Sequence, residues 1–67
     1  MRRLETIINQ TTGREARVYR DSEWQEWRVR FYDQGLHLTA ADYHTDDKGD
    51  AQHMARAWVW RSGLRDG

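Results

Sequence analysis

Two groups of residues in this chain carry side chains able to do chemistry. Asp42, His44, Asp46, Asp47 and His53 gather carboxylates and imidazoles, the oxygen and nitrogen donors of metal sites. The run Trp24-Gln25-Glu26-Trp27-Arg28-Val29-Arg30-Phe31-Tyr32 gathers Trp, Tyr and Arg, the types that supply most of the energy at recognition surfaces. Each group has to be weighed against the plainer work the same residues do in a small fold.

The acidic group fails as a metal site on spacing. A calcium loop opening at Asp42 needs glycine where Asp47 stands and a carboxylate where His53 stands. Zinc needs three or four convergent ligands, and His37, His44 and His53 include no i, i+4 helical pair. Capping of a helix start accounts for Thr45, Asp46, Asp47 and Asp50 without a metal. No metal and no cofactor is therefore expected. The same carboxylates would repel phosphate from that helix end.

Catalysis finds little footing. Cysteine is absent, Ser22 and Ser62 fall in a turn and a tail, and no glycine-rich phosphate loop occurs. The three histidines have no nucleophile at a recognisable spacing, and so short a chain has difficulty enclosing a ligand pocket. The reading is a non-enzyme.

Elements that would position the aromatic and basic residues follow from periodicity. Glu15 to Arg20 alternates, with Ala16 and Val18 on one side and Arg17 and Tyr19 on the other. After a turn at Asp21-Ser22-Glu23, Gln25 to Tyr32 alternates again: Trp27, Val29 and Phe31 form an apolar face, and Glu26, Arg28, Arg30 and Tyr32 the opposite one. Asp33-Gln34-Gly35 reads as a turn, and Leu36 to Tyr43 as a third strand with Leu36 and Leu38 inward and a bulge near Ala40-Ala41. Leu4 to Asn9 is either a strand or a short helix. Its β-branched Ile7 and Ile8 favour strand, with a turn through Gly13.

A helix is expected from Asp46 to Arg61, capped by Thr45 or Asp46 and terminated by Gly63, with Ala51, Met54, Ala55 and Trp58 on its apolar face. The fold class is then α+β: a small antiparallel meander of about three or four strands with one C-terminal helix packed on one face. The chain reads as a single domain over residues 1–67, its core from about 4 to 61 and a frayed tail at 62–67.

Composition bounds the partners. Eleven basic and eleven acidic residues cancel, which removes the simplest argument for nucleic acid. Ten of the eleven cations are Arg, suited to planar contacts with carboxylates, phosphates and rings. Leu4 to Ile8 is too short and too polar for a signal peptide or membrane span, so no membrane association is expected, and the absence of cysteine suits a cytoplasmic setting.

One helix hides one face of such a sheet. Arg17, Tyr19, Arg28, Arg30, Tyr32 and Trp24 are left toward solvent as the candidate binding residues. His53, Arg56 and Trp60 lie off the apolar helix stripe and form a secondary surface. Because Trp58, Val59 and Trp60 cannot all face one core, an exposed Trp offers a route to a homo-oligomer; packing against Leu4, Ile7 or Ile8 is the ordinary alternative. For the sheet face, the ordinary alternative is a solvated surface of Arg–Glu pairs. The functional reading is a non-catalytic binding module that offers its open sheet face to a protein partner, as a phage-type or mobile-element inhibitor or accessory would. The rival is weak nucleic-acid binding by the same Arg/Tyr face. At the level of architecture alone, a meander followed by one helix resembles the arm-binding domains of phage integrases, antitoxin-type strand–helix units and small phage-encoded inhibitors of CRISPR systems. No functional residue transfers from that likeness.

Overall fold

Three long strands of equal length carry the architecture: β1 (Arg2–Asn9), β2 (Arg14–Asp21) and β3 (Glu26–Asp33), each antiparallel to the next. Two short strands, β4 (Leu36–His37) and β5 (Tyr43–Thr45), lie end to end along the far edge of β3, and α1 (Lys48–Val59) follows. This is the expected α+β meander with one helix, in a computed structural model that describes residues 1–61. Gly63 as helix terminator and the frayed tail at 62–67 lie outside the described residues.

The alternating pattern in the sequence becomes a two-faced sheet. Ala16, Val18, Val29 and Phe31 are buried under the helix residues Ala51, Ala55 and Val59, with Ile7, Trp27, Tyr43 and Trp58 packed around them. Alanine at two of the three helix contacts brings the helix backbone close to the sheet. The bulky residues sit at the margin: none of the four tryptophans is buried, and Trp58 covers Phe31 from the side with ring centroids 5.1 Å apart.

Three expectations need correction. The stretch 36–43 is not one strand with Leu36 and Leu38 inward. A two-residue turn, with Gln34 at φ 51° and Gly35 at φ 88°, folds Leu36 back beside Asp33, but a 3₁₀ turn at Thr39–Ala41 then lifts the chain off β3 before β5 returns to it. Leu36 shares the row of Asn9, Arg14 and Asp33, yet it is 67% exposed because α1 touches β1, β2, β3 and β5 but not β4. The helix is also shorter than 46–61, and its cap is Asp47, whose Oδ1 accepts from the backbone N–H of Gly49 at 2.8 Å and Asp50 at 3.2 Å. Thr45 ends β5, so two more residues are needed before the chain can turn into the helix. Met54, expected inward, is 37% exposed; the sheet-facing stripe runs i, i+4, i+8 through Ala51, Ala55 and Val59 and leaves Met54 beside it.

Both ends of the helix are tied to the sheet. Tyr43 of β5 donates its hydroxyl hydrogen bond to Asp50 in the first turn. At the other end, buried Asn9 donates from Nδ2 to the Val59 carbonyl at 3.2 Å while its Oδ1 accepts from the N–H of Thr11 and Thr12. Arg14 stacks on Trp58 and donates to the carbonyls of Trp58 and Arg61. The carbonyls that a helix C-terminus leaves without partners are thus met by side chains from β1 and β2. Between these ends, Glu5 of β1 points to the helix side of the sheet, where it accepts from Gln52 and Arg56, each at 3.2 Å. One residue before it, at Leu4, the pairing of β1 with β2 slips by a bulge.

Candidate functional site

Strand register places the open face row by row. Asp21 lies opposite Glu26; Arg3, Tyr19, Arg28 and His44 form the next row; then Thr6, Arg17 and Arg30; then Ile8, Glu15, Tyr32 and His37. Five of the six candidate binding residues, Arg17, Tyr19, Arg28, Arg30 and Tyr32, therefore share one face, all of them partly exposed. Trp24 stands apart from them, at the tip of the β2–β3 hairpin and 65% exposed.

Four groups at the centre interlock diagonally. The guanidinium of Arg17 lies over the ring of Tyr32 at 4.2 Å, and that of Arg30 over Tyr19 at 4.9 Å. These are cation–π distances, each worth about 0.5–1 kcal/mol at an exposed site. On the outer side of Tyr32, His37 stacks with centroids 4.9 Å apart and its Nε2 meets Asp42 at 2.9 Å. The rings are held on the face by neighbouring side chains.

Charge is distributed unevenly over the arginines. Arg17 bonds Glu15 through Nε, and this contact holds its guanidinium pKa above the usual value. Arg28 lies between Asp21, 3.2 Å away, and Glu26, 3.7 Å away; its Nε is buried and not aligned for a hydrogen bond with either. Glu26 also receives His44 at 2.9 Å. Arg30, in the middle, has no carboxylate within 4.0 Å among the described residues.

The hairpin tip is held in one shape. Asp21 Oδ1 accepts from the N–H of Glu23 and Trp24, and Gln25 Nε2 donates to the Ser22 carbonyl. Arg20, stacked on Trp27 at 4.2 Å, donates to Gln25 Oε1 and the Glu26 carbonyl. Those bonds hold Gln25 at φ 55°, a left-handed conformation that costs a non-glycine residue about 1–2 kcal/mol. Sequence patterning finds the exposed tryptophan but not the rigidity of its platform.

The secondary residues divide. His53 and Trp60 are exposed, Trp60 by 61% and so not covered by Leu4, Ile7 or Ile8, whereas Arg56 is engaged by Glu5. The acidic group does not converge: His44 turns to Glu26, Asp42 to His37, and Asp47 caps the helix, so no set of three potential ligands gathers among the described residues. No helix among them is long and apolar enough to cross a membrane. Residues missed in the sequence are Asn9 and Arg14, which work at fifty and forty-four positions' remove on the helix end. Only the Asn-x-x-x-Gly turn spacing from Asn9 to Gly13 hinted at the first. Comparison with known protein families, with curated proteins and with solved structures finds no match to this chain.

Proposed function

We propose that the protein is a non-catalytic binding module whose open sheet face, Arg17, Tyr19, Arg28, Arg30 and Tyr32 with Trp24 beyond its end, docks on a protein partner. Such a module would act as a small inhibitor or accessory protein, by covering a surface of its target. The observation that carries this reading is the interlocked Arg17–Tyr32 and Arg30–Tyr19 pairs. Long side chains already fixed on rings lose little rotamer freedom on binding, and ordering of that kind otherwise costs about 0.5–1.5 kcal/mol per side chain. Arg and Tyr so placed are interface anchors.

The same pairs count against nucleic acid. Arginines of the chain itself already lie over the Tyr19 and Tyr32 rings that would stack on bases, and Glu15, Asp21 and Glu26 stand at the two ends of the face where a phosphate chain would leave it. Against catalysis, neither His–carboxylate pair, His37–Asp42 or His44–Glu26, has a hydroxyl nucleophile bonded to it among the described residues.

The test compares proteins retained from source lysate by the immobilised wild type and by the Tyr19→Ala/Tyr32→Ala double variant. A partner held by the first and lost by the second, with no change in fluorescence anisotropy of single- or double-stranded oligonucleotides at low salt, is the expected result. Retention by both variants sinks the reading, and salt-sensitive oligonucleotide binding replaces it with the nucleic-acid one. Light scattering on the same samples reads self-association through Trp24 or Trp60.

A further inference from the structure

Three arginines occupy the middle of the open face, and their partners set one apart. Arg17 is engaged by Glu15, and Arg28 lies between Asp21 and Glu26. Arg30 sits between them, pinned on Tyr19, with no carboxylate of the described residues within reach. Beside it the chain's departure from β3 between β4 and β5 opens a small cavity of about 70 Å³, lined by Arg28, Val29, Arg30, Asp42, Tyr43 and His44. Asp42 commits Oδ1 to His37, and the Tyr43 hydroxyl is committed to Asp50.

We infer that Arg30 and this cavity form a subsite for one acidic side chain, an Asp or Glu, of the partner protein; the inference rests on the open face being a protein-binding surface. Of the three central arginines, Arg30 alone has no carboxylate of the described residues beside it; Arg3, which has none either, lies on the edge strand β1, away from the cavity. A planar guanidinium whose ring contact fixes its orientation presents its N–H groups in the fork that a carboxylate accepts in pairs. The cavity is of a size for a carboxylate and its methylene, and too small for a nucleotide. Carboxylates at Glu15, Asp21 and Glu26 penalise an extended polyanion, whereas a single acidic side chain between them meets Arg28 and Arg30 and one lining carboxylate, Asp42, which is already paired with His37. A partner lacking an acid at this point would bury Arg30 without a counter-charge, so the subsite also selects among partners.

The experiment follows the Arg Nε–Hε signals of the full chain by NMR, with N-acetyl-aspartate methylamide and, separately, a dinucleotide as probes. The aspartate probe, added to tens of millimolar, is expected to move the Arg30 signal and the backbone amides of Tyr43 and His44 while the Arg17 signal stays in place. In Arg30→Gln those amide shifts disappear; in Arg30→Lys, which keeps the charge and loses the fork, they weaken. A dispersed amide spectrum confirms that each variant is folded. No shift with the aspartate probe, or larger shifts with the dinucleotide, overturns the inference.

With the captured partner in hand, Arg30→Gln is expected to weaken binding by about tenfold or more. If Arg30→Gln binds as wild type while Tyr19→Ala/Tyr32→Ala does not bind, the face stands and the acidic subsite falls. If the tyrosine variant binds as well, the reading of the face fails first.

Discussion

The two faces of the sheet use opposite materials. Under the helix the contacts are made by alanine, valine and a single phenylalanine, small shapes that let two layers close tightly. On the other side, alternate residues of the same strands are arginine and tyrosine, held by ring stacking and ion pairs while remaining partly wet. A strand with period-two alternation can thus stabilise a domain with one set of side chains and arrange a contact surface with the other. Substitutions at neighbouring positions should have unlike consequences.

The sharpest test sets Phe31→Ala against Tyr32→Ala. Removing the Phe31 ring takes a core side chain and the cover of Trp58, a loss of about 3–5 kcal/mol, which is as much as a domain of this size usually holds. Circular dichroism should find that variant largely unfolded at room temperature. Tyr32→Ala, on the open side, should stay within about 1 kcal/mol of wild type in urea denaturation. Equal losses would mean that the open face is a second core, and the comparison would collapse.

Asn9→Ala probes how the covered face is closed at its end. It leaves the Val59 carbonyl and the N–H of Thr11 and Thr12 without their partner, for an expected loss of about 1–3 kcal/mol in the same urea assay. A smaller change, of opposite sign, is expected from Gln34→Asn. Both residues of that turn have positive φ, the geometry in which Asn-Gly is preferred, so stability should rise by a few tenths to about 1 kcal/mol.

Finally, the tie between β5 and the helix start can be followed through the titration of Tyr43. The hydrogen bond it donates to Asp50, and then its partial burial, raise its pKa, because the phenolate would face a carboxylate. Its folded value lies above its unfolded one, near 10, so its contribution to stability is whole below that pH and is lost as pH climbs through the folded value. The loss of Tyr43 absorbance change in Tyr43→Phe identifies its share of the alkaline titration, which should lie above the ordinary tyrosine range and move down in Asp50→Asn.

Strand parity was legible because Trp27, Val29 and Phe31 alternate without a fault against Arg28, Arg30 and Tyr32, and a one-residue slip would bury arginine. The existence of the helix was legible from its apolar spacing and acidic start. Its rotation was not: hydrophobicity ranks Met54 above Ala51, whereas close packing on a sheet selects the smaller side chain. Leu36 misled for a related reason, since alternation says which side a residue faces but not whether anything covers it. At the site, alternation placed Arg17, Tyr19, Arg28, Arg30 and Tyr32 together on one face, while the Arg17–Tyr32, Arg30–Tyr19 and Arg28–Asp21 contacts run along cross-strand diagonals that only register fixes.

Glu5, turned toward the helix on the outermost strand, bears on how the molecule behaves in company. An eight-residue border with which no other described strand pairs is a template on which further chains can stack into fibrils. A newcomer pairing there would have to accommodate the kink at Leu4 and lay its own apolar row against a carboxylate already clamped by Gln52 and Arg56. That ion pair, of small worth to stability, makes the border a poor template for a second chain.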